Sequence, residues 1–432
     1  MTINALKCSR ETLILMALFC VHLLLFWPGY MTSDSQGQYN MAVSGVYSDH
    51  HPFIMSFLWR YLDKIYPGPG LMLFTHFTLL YGSVYFFMRS FPNSKLRYYF
   101  FAFPFFPHVL SYSPAIWKDN GFAFTFLFVA SYLAYCTMEN RVLKGRVLMG
   151  LLVILAYGTL VKFQAQYLAP LLLLWMGLHQ AHYQKGWNLL KKLAIISFLF
   201  YGLIAGVRYF GPEVKQDHSW QMVKFYDLAA MSVTLNKPLM PEFNRSKSFS
   251  MEELHKRFNH QRVDDLVFGD AILVGGQTEQ ERDILWKTWA HEVLKHPFIY
   301  LKHRSINMAY ALLSTPLFMY VQPALDEWCG VGTIVNKTVY ITARILGYLI
   351  LAHFLPALLS FVYLGLALFS LHKTKAAIPL FFMSSLSVMM LGTLFFCSMA
   401  GTPRYTYIVV CMTYASHIFA YLCYKQRYAK TP

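Results

Sequence analysis

The residues of this chain that can do chemistry are a few carboxylates and cations beside long apolar segments. Six of them fall on one predicted side of a membrane, and these are Asp34, Asp49, Lys118, Asp119, Lys162 and Arg404. Ionisable groups at membrane depth are costly, so they are candidates for function by default. If the ends of the apolar segments converge, a carboxylate can accept the proton of an attacking hydroxyl. The cations can then stabilise a phosphate leaving group.

Polar neighbours extend this set. The segment SDSQGQY, residues 33–39, is dense in side chains that bind hydroxyl-rich ligands. The candidates for substrate contact are Gln38, Tyr39, Asp49, His50, His51, Lys118, Lys162, Gln164, Arg404 and Tyr405. The Asp49-His50-His51 triplet is a weak ligand set for a metal. We therefore predict no metal ligand, and a divalent ion stays an unsupported alternative.

Each candidate also has an ordinary structural explanation. Residues 33–40 can be a solvated loop, and Asp49 can cap a turn into a helix over residues 52–64. Asp119 can form a local ion pair or cap a helix N-terminus. Lys162 can extend to the membrane interface, and Arg404 can anchor a helix end there. The observation that favours a common site is that all of these residues are predicted to lie on the same side of the membrane.

The composition predicts the elements that must hold these residues. The 432 residues are 56% hydrophobic and only 13% charged, with a mean hydropathy of +0.38. Soluble proteins carry about 25% charged residues, and the apolar blocks here are about 20 residues long, which is enough to cross a bilayer. The chain is therefore predicted to be an all-α polytopic membrane protein. A soluble enzyme, a disordered chain and a fibrous repeat are excluded.

The distribution of charge predicts the topology. The short polar breaks are rich in Lys and Arg and contain only two acids, Glu11 and Glu139. The polar segment, residues 211–304, has 13 basic and 13 acidic residues. Short basic loops stay in the cytoplasm, whereas long neutral segments can translocate. The net charge of +16 therefore reports topology and not nucleic-acid binding.

The chain is predicted to have three parts. Residues 1–210 form an N-terminal transmembrane module that includes a first outer loop, residues 30–70. The polar segment 211–304 forms a small, mainly helical extracytoplasmic domain, with helical patterns over residues 251–268 and 278–296. Residues 305–432 form a C-terminal transmembrane module.

We prefer about ten spans, with both termini cytoplasmic. The predicted spans are residues 12–29, 71–88, 98–116, 120–138, 147–161, 167–182, 192–210, 350–371, 376–397 and 404–424. Two further spans, residues 305–321 and 338–355, would raise the count to twelve. The loop between them, residues 322–337, has Asp326 and Glu327 against Lys337 and so lacks the basic excess of an inner loop. This favours ten spans, with residues 305–349 partly at the outer surface.

This layout resembles the GT-C superfamily of membrane glycosyltransferases, which includes the protein O-mannosyltransferases and the aminoarabinose transferases of lipid A. The shared features are an Asp after the first span, an Asp at the outer start of the fourth span, a Lys- or Gln-bearing outer turn, a large outer domain and an Arg-Tyr pair before a late span. In this chain they are Asp34, Asp119, Lys162 with Gln164, residues 211–304, and Arg404-Tyr405.

The resemblance implies a GT-C-like bundle that transfers a sugar from a polyprenyl-phosphate donor on the outer face of the membrane. It implies that Asp34 is the catalytic base or its organiser and that Asp119 assists. Lys162 and Arg404 would bind the donor phosphate. The first outer loop has no Asp-Glu pair and the outer domain is small, which disfavours a protein acceptor. No clear Asp-x-Asp supports an obligatory metal.

The predicted function is therefore a hexosyl- or pentosyltransferase of the cell (inner) membrane. Its acceptor would be a lipid, a glycan or an envelope polymer, and it would need no cofactor. Three alternatives stay open: a flippase of a lipid-linked saccharide, a polysaccharide polymerase or ligase, and a structural or assembly protein. A flippase would need charges near the membrane midplane and often repeats with broken helices, which the sequence does not show.

Overall fold

Almost all regular structure is helical in the computed structural model, which describes residues 9–182, 186–313, 333–350 and 352–428. The helices before the polar segment are α1 (Arg10–Phe26), α2 (Ser33–Ser44), α3 (Phe53–Asp63), α4 (Gly70–Arg89), α5 (Tyr99–Ala102), α6 (Pro107–Leu110), α7 (Lys118–Met138), α8 (Gly145–Val161), α9 (Ala165–Gln180) and α10 (Trp187–Phe210). Those of the polar segment and beyond are α11 (Gln221–Leu235), α12 (Met251–Arg257), α13 (Asp264–Val267), α14 (Glu279–Lys295), α15 (Pro297–Leu313), α16 (Thr333–Leu349), α17 (Phe354–Ser370), α18 (Ala377–Cys397) and α19 (Tyr407–Tyr428). Two short strands, β1 (Tyr47–Ser48) and β2 (Val214–Lys215), pair in parallel.

Five described segments are long and apolar enough to cross a membrane, namely α4, α7, α10, α18 and Pro403–Gln426. A sixth is present if Ile341–Leu349 and Phe354–Ser370, which meet at 56°, form one broken span. The chain is thus a mainly helical membrane protein, as predicted. The predicted count of ten spans is not confirmed. The choice between ten and twelve depends largely on residues 314–332, which lie outside the described ranges.

The predicted span over residues 98–116 is wrong as a single helix. These residues form short turns, with a 3₁₀ segment at Phe103–Phe105 between α5 and α6. Pro104 and Pro107 explain the breaks, because proline lacks the N–H group that a helix interior needs and its ring clashes with the preceding turn. The stretch is largely buried, as its apolar side chains allow.

The polar segment has its own small hydrophobic core, separate from that of the apolar bundle. Buried residues of this core include Phe225, Leu254, Leu266 and Leu285. The helical pattern predicted over 278–296 is α14, whereas that over 251–268 is two shorter helices, α12 and α13. As expected, the chain changes helix at a proline, since α14 ends at Lys295 and α15 begins at Pro297.

Gly45 ends α2, the helix that carries Asp34. Its φ of +75° is in the left-handed region, and its N–H group donates to Met41 O. A Cβ atom at this position would lie 2.5 Å from Arg60 Nη1, and that guanidinium donates to the carbonyls of Ala42 and Val43. Glycine is therefore required here both by conformation and by space.

We expect Gly45→Ala to lower the free energy of unfolding by about 1–2 kcal/mol, the cost of a left-handed conformation for a residue with a Cβ atom. Thermal unfolding in a fixed detergent measures the change. The matched control is Gly365→Ala within α17, where a Cβ would meet nothing within 4 Å. That control should be neutral or slightly stabilising. Equal losses in both variants would contradict the role of Gly45.

Candidate functional site

A short backbone bridge brings together the starts of α2 and α7. Tyr30 N donates to Pro114 O (2.9 Å), and Ile116 N donates to Tyr30 O (2.8 Å). Both helices begin within a few residues of this bridge. Asp34, in the first turn of α2, and Lys118, the first residue of α7, are therefore held near each other although they are far apart in sequence.

Two ion pairs form the centre of the site. Arg404 Nη2 lies 2.5 Å from Asp34 Oδ2, with both side chains partly exposed. Lys162 Nζ donates to Asp119 Oδ1, and both of these side chains are only 3% exposed. The ring of Tyr405 joins the two pairs, because its centroid lies 4.4 Å from Lys162 Nζ and 5.2 Å from the Arg404 guanidinium. Four separate parts of the chain thus meet at one point.

Lys118 adds a third cation through His51. The Lys118 ammonium lies 2.9 Å from His51 Nδ1. Burial, together with the nearby Lys118 charge, lowers the pKa of His51 to about 2, so the imidazole is neutral at physiological pH and can accept this hydrogen bond. We call Asp34, His51, Lys118, Asp119, Lys162, Arg404 and Tyr405 the Asp34 cluster.

The cluster keeps Asp34 ionised. Burial alone would raise the pKa of its carboxyl group, but the charges of Arg404 and Lys118 outweigh burial and hold that pKa well below its ordinary value. Such a carboxylate is a weak base for as long as both cations face it. The Asp34 carboxylate becomes a stronger base if another anion binds Arg404 and Lys118 in its place.

Arg404 is positioned by contacts with the polar segment. Backbone hydrogen bonds join residues 261–263 to residues 399–401, just before Arg404. Arg304, which is fully buried, also donates through Nη1 to Ser398 O (2.5 Å). The polar segment is therefore attached directly to the turn that presents the Arg404 guanidinium to Asp34.

Two predicted substrate contacts, Asp49 and Tyr39, have hydrogen-bond partners within the protein. The carboxylate of Asp49 accepts hydrogen bonds from the backbone N–H groups of Asp217 and His218 (2.8 and 3.1 Å), where β2 leaves the short sheet. The hydroxyl of Tyr39 donates to Asp63 Oδ1 (2.8 Å). These partners lie 24 or more residues away in the chain, so the sequence did not indicate them.

The other predicted contacts differ in their surroundings. Gln38 is fully buried, and its amide atoms have no hydrogen-bond partner within the described part of the chain. His50 packs edge-on against His51 and lies 3.4 Å from Ser219 Oγ. Gln164 is half-buried directly before α9. The structure therefore brings His50 to the edge of the cluster, whereas the Gln164 side chain forms no hydrogen bond to the cluster among the described residues.

The sequence analysis missed Trp117, Thr32 and Asp264. The Trp117 indole lies 5.5 Å from the Arg404 guanidinium and donates through Nε1 to Thr32 Oγ1 (2.8 Å). The one feature of the sequence that could have marked Trp117 is its position directly before Lys118. Asp264, on α13, lies within electrostatic range of Asp34 and Arg404. No signal marked it among the many acids of the polar segment.

A groove of about 1040 Å³ is lined in part by chain neighbours of the cluster. It extends along α10 and the α8–α9 junction, and its apolar wall includes Phe163, Tyr167, Tyr201 and Ile204. Polar side chains line it as well, including Asp49, Gln166, Arg208 and Glu213. The groove and the cluster share two stretches of chain, since Asp49 precedes His50-His51 and Phe163 follows Lys162. A smaller apolar depression of 560 Å³ continues from it along α10.

No known protein family, curated protein or solved structure matches this chain. Over the described ranges, no group of three or more His, Cys, Asp or Glu side chains is placed to hold a metal ion.

Proposed function

We propose that this membrane protein transfers a sugar from a polyprenyl-phosphate donor to a lipid, glycan or envelope-polymer acceptor on the outer face of the cell membrane. The observation that carries the proposal is the convergence of Asp34, Lys118 and Arg404 in one cluster, together with a groove that has an apolar wall and is lined by chain neighbours of that cluster. A lipid phosphate sugar needs three things from a protein: cations for the phosphate, a base for the acceptor and an apolar surface for the lipid.

The reaction makes one bond and breaks one. The acceptor hydroxyl oxygen attacks the anomeric carbon, and Asp34 accepts the hydroxyl proton. The bond between the anomeric carbon and the phosphate oxygen breaks, and its electron pair stays on that oxygen. Polyprenyl phosphate leaves with this additional charge, which Arg404 and Lys118 are placed to stabilise.

The resting ion pair suggests how the base is activated. Arg404 contacts Asp34, and this contact lowers the pKa of the carboxyl group. A donor phosphate competes for the same guanidinium, and arginine binds phosphate well through its planar set of donors. When Arg404 turns to the phosphate, the pKa of Asp34 rises. The carboxylate therefore becomes a better base only when a donor is bound.

Asp119 and Lys162 have a positioning role in this scheme. The pair is almost fully buried, and Lys162 lies against the Tyr405 ring beside Arg404. A buried carboxylate that is bound to a lysine is poorly placed to take a proton from an incoming acceptor. It holds the lysine charge close to the site, and the lysine in turn supports Tyr405.

The lipid chain of the donor is assigned to the 1040 Å³ groove. Aromatic and aliphatic side chains, including Phe163, Tyr201 and Ile204, provide apolar surface, and Arg208 lies exposed on the wall formed by α10. Since α10 is mostly exposed along its length, the groove opens towards the surrounding lipid. A donor can then enter sideways from the bilayer.

The test uses purified full-length protein in detergent with a panel of radiolabelled polyprenyl-phosphate hexoses and pentoses and an extract of envelope glycolipids and glycans. We expect release of polyprenyl phosphate together with a labelled, larger product for at least one donor. A flippase turns over nothing without two compartments. Movement of the donor across proteoliposomes, without any release of polyprenyl phosphate in detergent, would overturn the proposal in favour of a transporter.

Arg404→Gln should weaken donor binding. The substitution removes a charged hydrogen-bond donor to the phosphate, which costs about 1.5–3 kcal/mol. This corresponds to a rise of roughly 10- to 150-fold in the donor KM. The matched control is Arg97→Gln, because Arg97 is also a partly exposed arginine paired with a carboxylate, Glu11 (2.8 Å), but lies outside the cluster. An unchanged donor KM in Arg404→Gln would refute the phosphate contact.

A further inference from the structure

The polar segment has an open pocket of 480 Å³ between the start of α11 and the first turns of α14. Its walls consist entirely of aromatic and charged side chains, and these are Trp220, Lys224, Glu279, Arg282, Asp283 and Trp286. The two indoles remain 41% and 48% exposed. Exposed tryptophans with such neighbours are not explained by the Asp34 cluster, to which none of them belongs.

Lys224 fixes the aromatic wall. Its ammonium lies 4.0 Å from the ring centre of Trp286, 4.7 Å from that of Trp289 and 4.8 Å from that of Trp220. Trp289 is anchored in turn, because its Nε1 donates to Asp227 Oδ2 (2.9 Å). The cation–π contacts hold the indoles in one arrangement. Lys224 is itself the cation that lies among the three indole rings, so the pocket is not arranged to bind a cationic ligand.

The rim supplies hydrogen-bonding groups around these aromatic rings. Glu279 and Asp283 carry acceptor oxygens, and Arg282 carries five N–H donors, of which Nη1 is held by Gln277 O (2.7 Å). Flat apolar rings with carboxylate and guanidinium groups at their edge match a sugar ring. Its C–H face packs on an aromatic ring, and its hydroxyls both donate and accept hydrogen bonds.

The pocket lies a short distance along the chain from the Asp34 cluster. Ser219, the residue before Trp220, has its hydroxyl 3.4 Å from His50 Nδ1. His50 packs against His51, which is bonded to Lys118 of the cluster. A chain of direct contacts therefore connects the start of α11, which carries the pocket, with the Asp34 cluster.

We propose that this pocket binds a saccharide portion of the acceptor and so presents its reacting hydroxyl to the Asp34 cluster. The role given to the pocket rests on the proposed glycosyl transfer. Its test does not, because saccharide binding can be measured without a donor. A lipid surface is the competing occupant for exposed tryptophans. The pocket lining carries two acids, Glu279 and Asp283, against two cations, Lys224 and Arg282, so it has no net positive charge to attract the anionic surface of a membrane.

The first experiment measures binding of full-length protein in detergent, without donor, to immobilised hexasaccharides of glucose, mannose, galactose and N-acetylglucosamine. We expect wild type to bind at least one of them. Trp286→Ala should bind it roughly 3- to 10-fold more weakly, the loss expected for one aromatic contact. Trp286→Phe, which keeps an aromatic ring, should recover part of the affinity.

Two further variants make the result specific. Glu279→Gln changes only an exposed rim carboxylate and should also weaken binding without affecting the packing of the indoles. Trp187→Ala is the matched control, because Trp187 is 70% exposed and also lies beside a lysine, Lys191, but outside the pocket. It should bind as wild type does.

The outcomes separate this inference from the proposed function. Saccharide binding that depends on Trp286 supports the pocket even if no sugar transfer is found. Where transfer occurs, Trp286→Ala should raise the acceptor KM while leaving the donor KM unchanged. The inference is overturned if wild type binds none of the hexasaccharides, if Trp286→Ala binds them equally well, or if the only loss in that variant is of binding to phosphatidylglycerol vesicles.

Discussion

Sugar transfer is expected to fall by about 10²- to 10⁴-fold in Asp34→Asn, which is the usual contribution of a positioned general base. Asparagine has nearly the shape of aspartate but cannot accept the acceptor proton. The loss should appear in kcat, whereas the donor KM should stay the same or fall, because Arg404 loses its resting partner and is free for the phosphate. Steady-state kinetics with varied donor measures both quantities.

The control for this prediction is Asp217→Asn. Asp217 is also an acid paired with a cation, since its carboxylate lies 3.1 Å from Lys215 Nζ, but its side chain lies outside the cluster. It should transfer sugar as wild type does. Membrane insertion and thermal unfolding of both variants show whether the chain is intact. If the Asp34→Asn protein is fully folded and has a normal kcat, Asp34 is not the general base.

This split between kcat and KM distinguishes two roles of one ion pair. If Asp34 served only to hold Arg404, its loss would disorder the guanidinium and raise the donor KM. If it is the base, the chemical step alone is slowed. The contact between Asp34 and Arg404 does not decide between these roles, because a resting ion pair is compatible with both. The kinetic comparison does.

The grouping of the charged residues could be predicted from the sequence, but their pairing could not. Charge bias and the alternation of spans placed Asp34, Lys118 and Arg404 on one side of the membrane. Which acid meets which cation depends on helix packing. The backbone bridge between Tyr30 and Ala115 that aligns α2 with α7 involves main-chain groups, and these carry no sequence signal.

Segments with broken or short helices were the hardest to predict. Hydropathy correctly marked residues 98–116 as apolar, but it ignores the effect of Pro104 and Pro107 on backbone hydrogen bonding. In the same way, residues 33–40 were read as a polar outer loop, whereas they belong to α2. A helix in which Asp34 and Gln38 are one turn apart shows little apolar periodicity, so pattern analysis does not detect it.

The tryptophan pocket illustrates a different limit. The stretch TEQERDILWKTWAHEVLKH predicted the helix α14, and its tryptophans could be assigned to one face of that helix. Nothing in the sequence indicated that Lys224, more than 50 residues earlier, lies among them. Contacts between distant elements decide whether an exposed tryptophan is a loose surface residue or part of an ordered wall.

The largest effect on stability is expected from breaking the pair between Lys162 and Asp119. Both side chains are 3% exposed, so Lys162→Met would leave a buried carboxylate without its cation. Loss of one partner from a buried pair costs about 3–5 kcal/mol. The double variant with Asp119→Asn removes both charges and should recover most of this loss. Thermal unfolding of the single and double variants in one detergent measures the coupling.

Lys256→Met provides the matched control, because Lys256 is a mostly exposed lysine whose partner, Glu253, lies 3.4 Å away. An exposed pair contributes only about 0–1 kcal/mol, so this variant should unfold almost as wild type does. A similar small effect for Lys162→Met would mean that Lys162 and Asp119 do not depend on each other.

If the stable double variant still transfers sugar, the lysine only supports the fold. If it is stable but has a raised donor KM, Lys162 also contributes its charge to phosphate binding, as the resemblance implied.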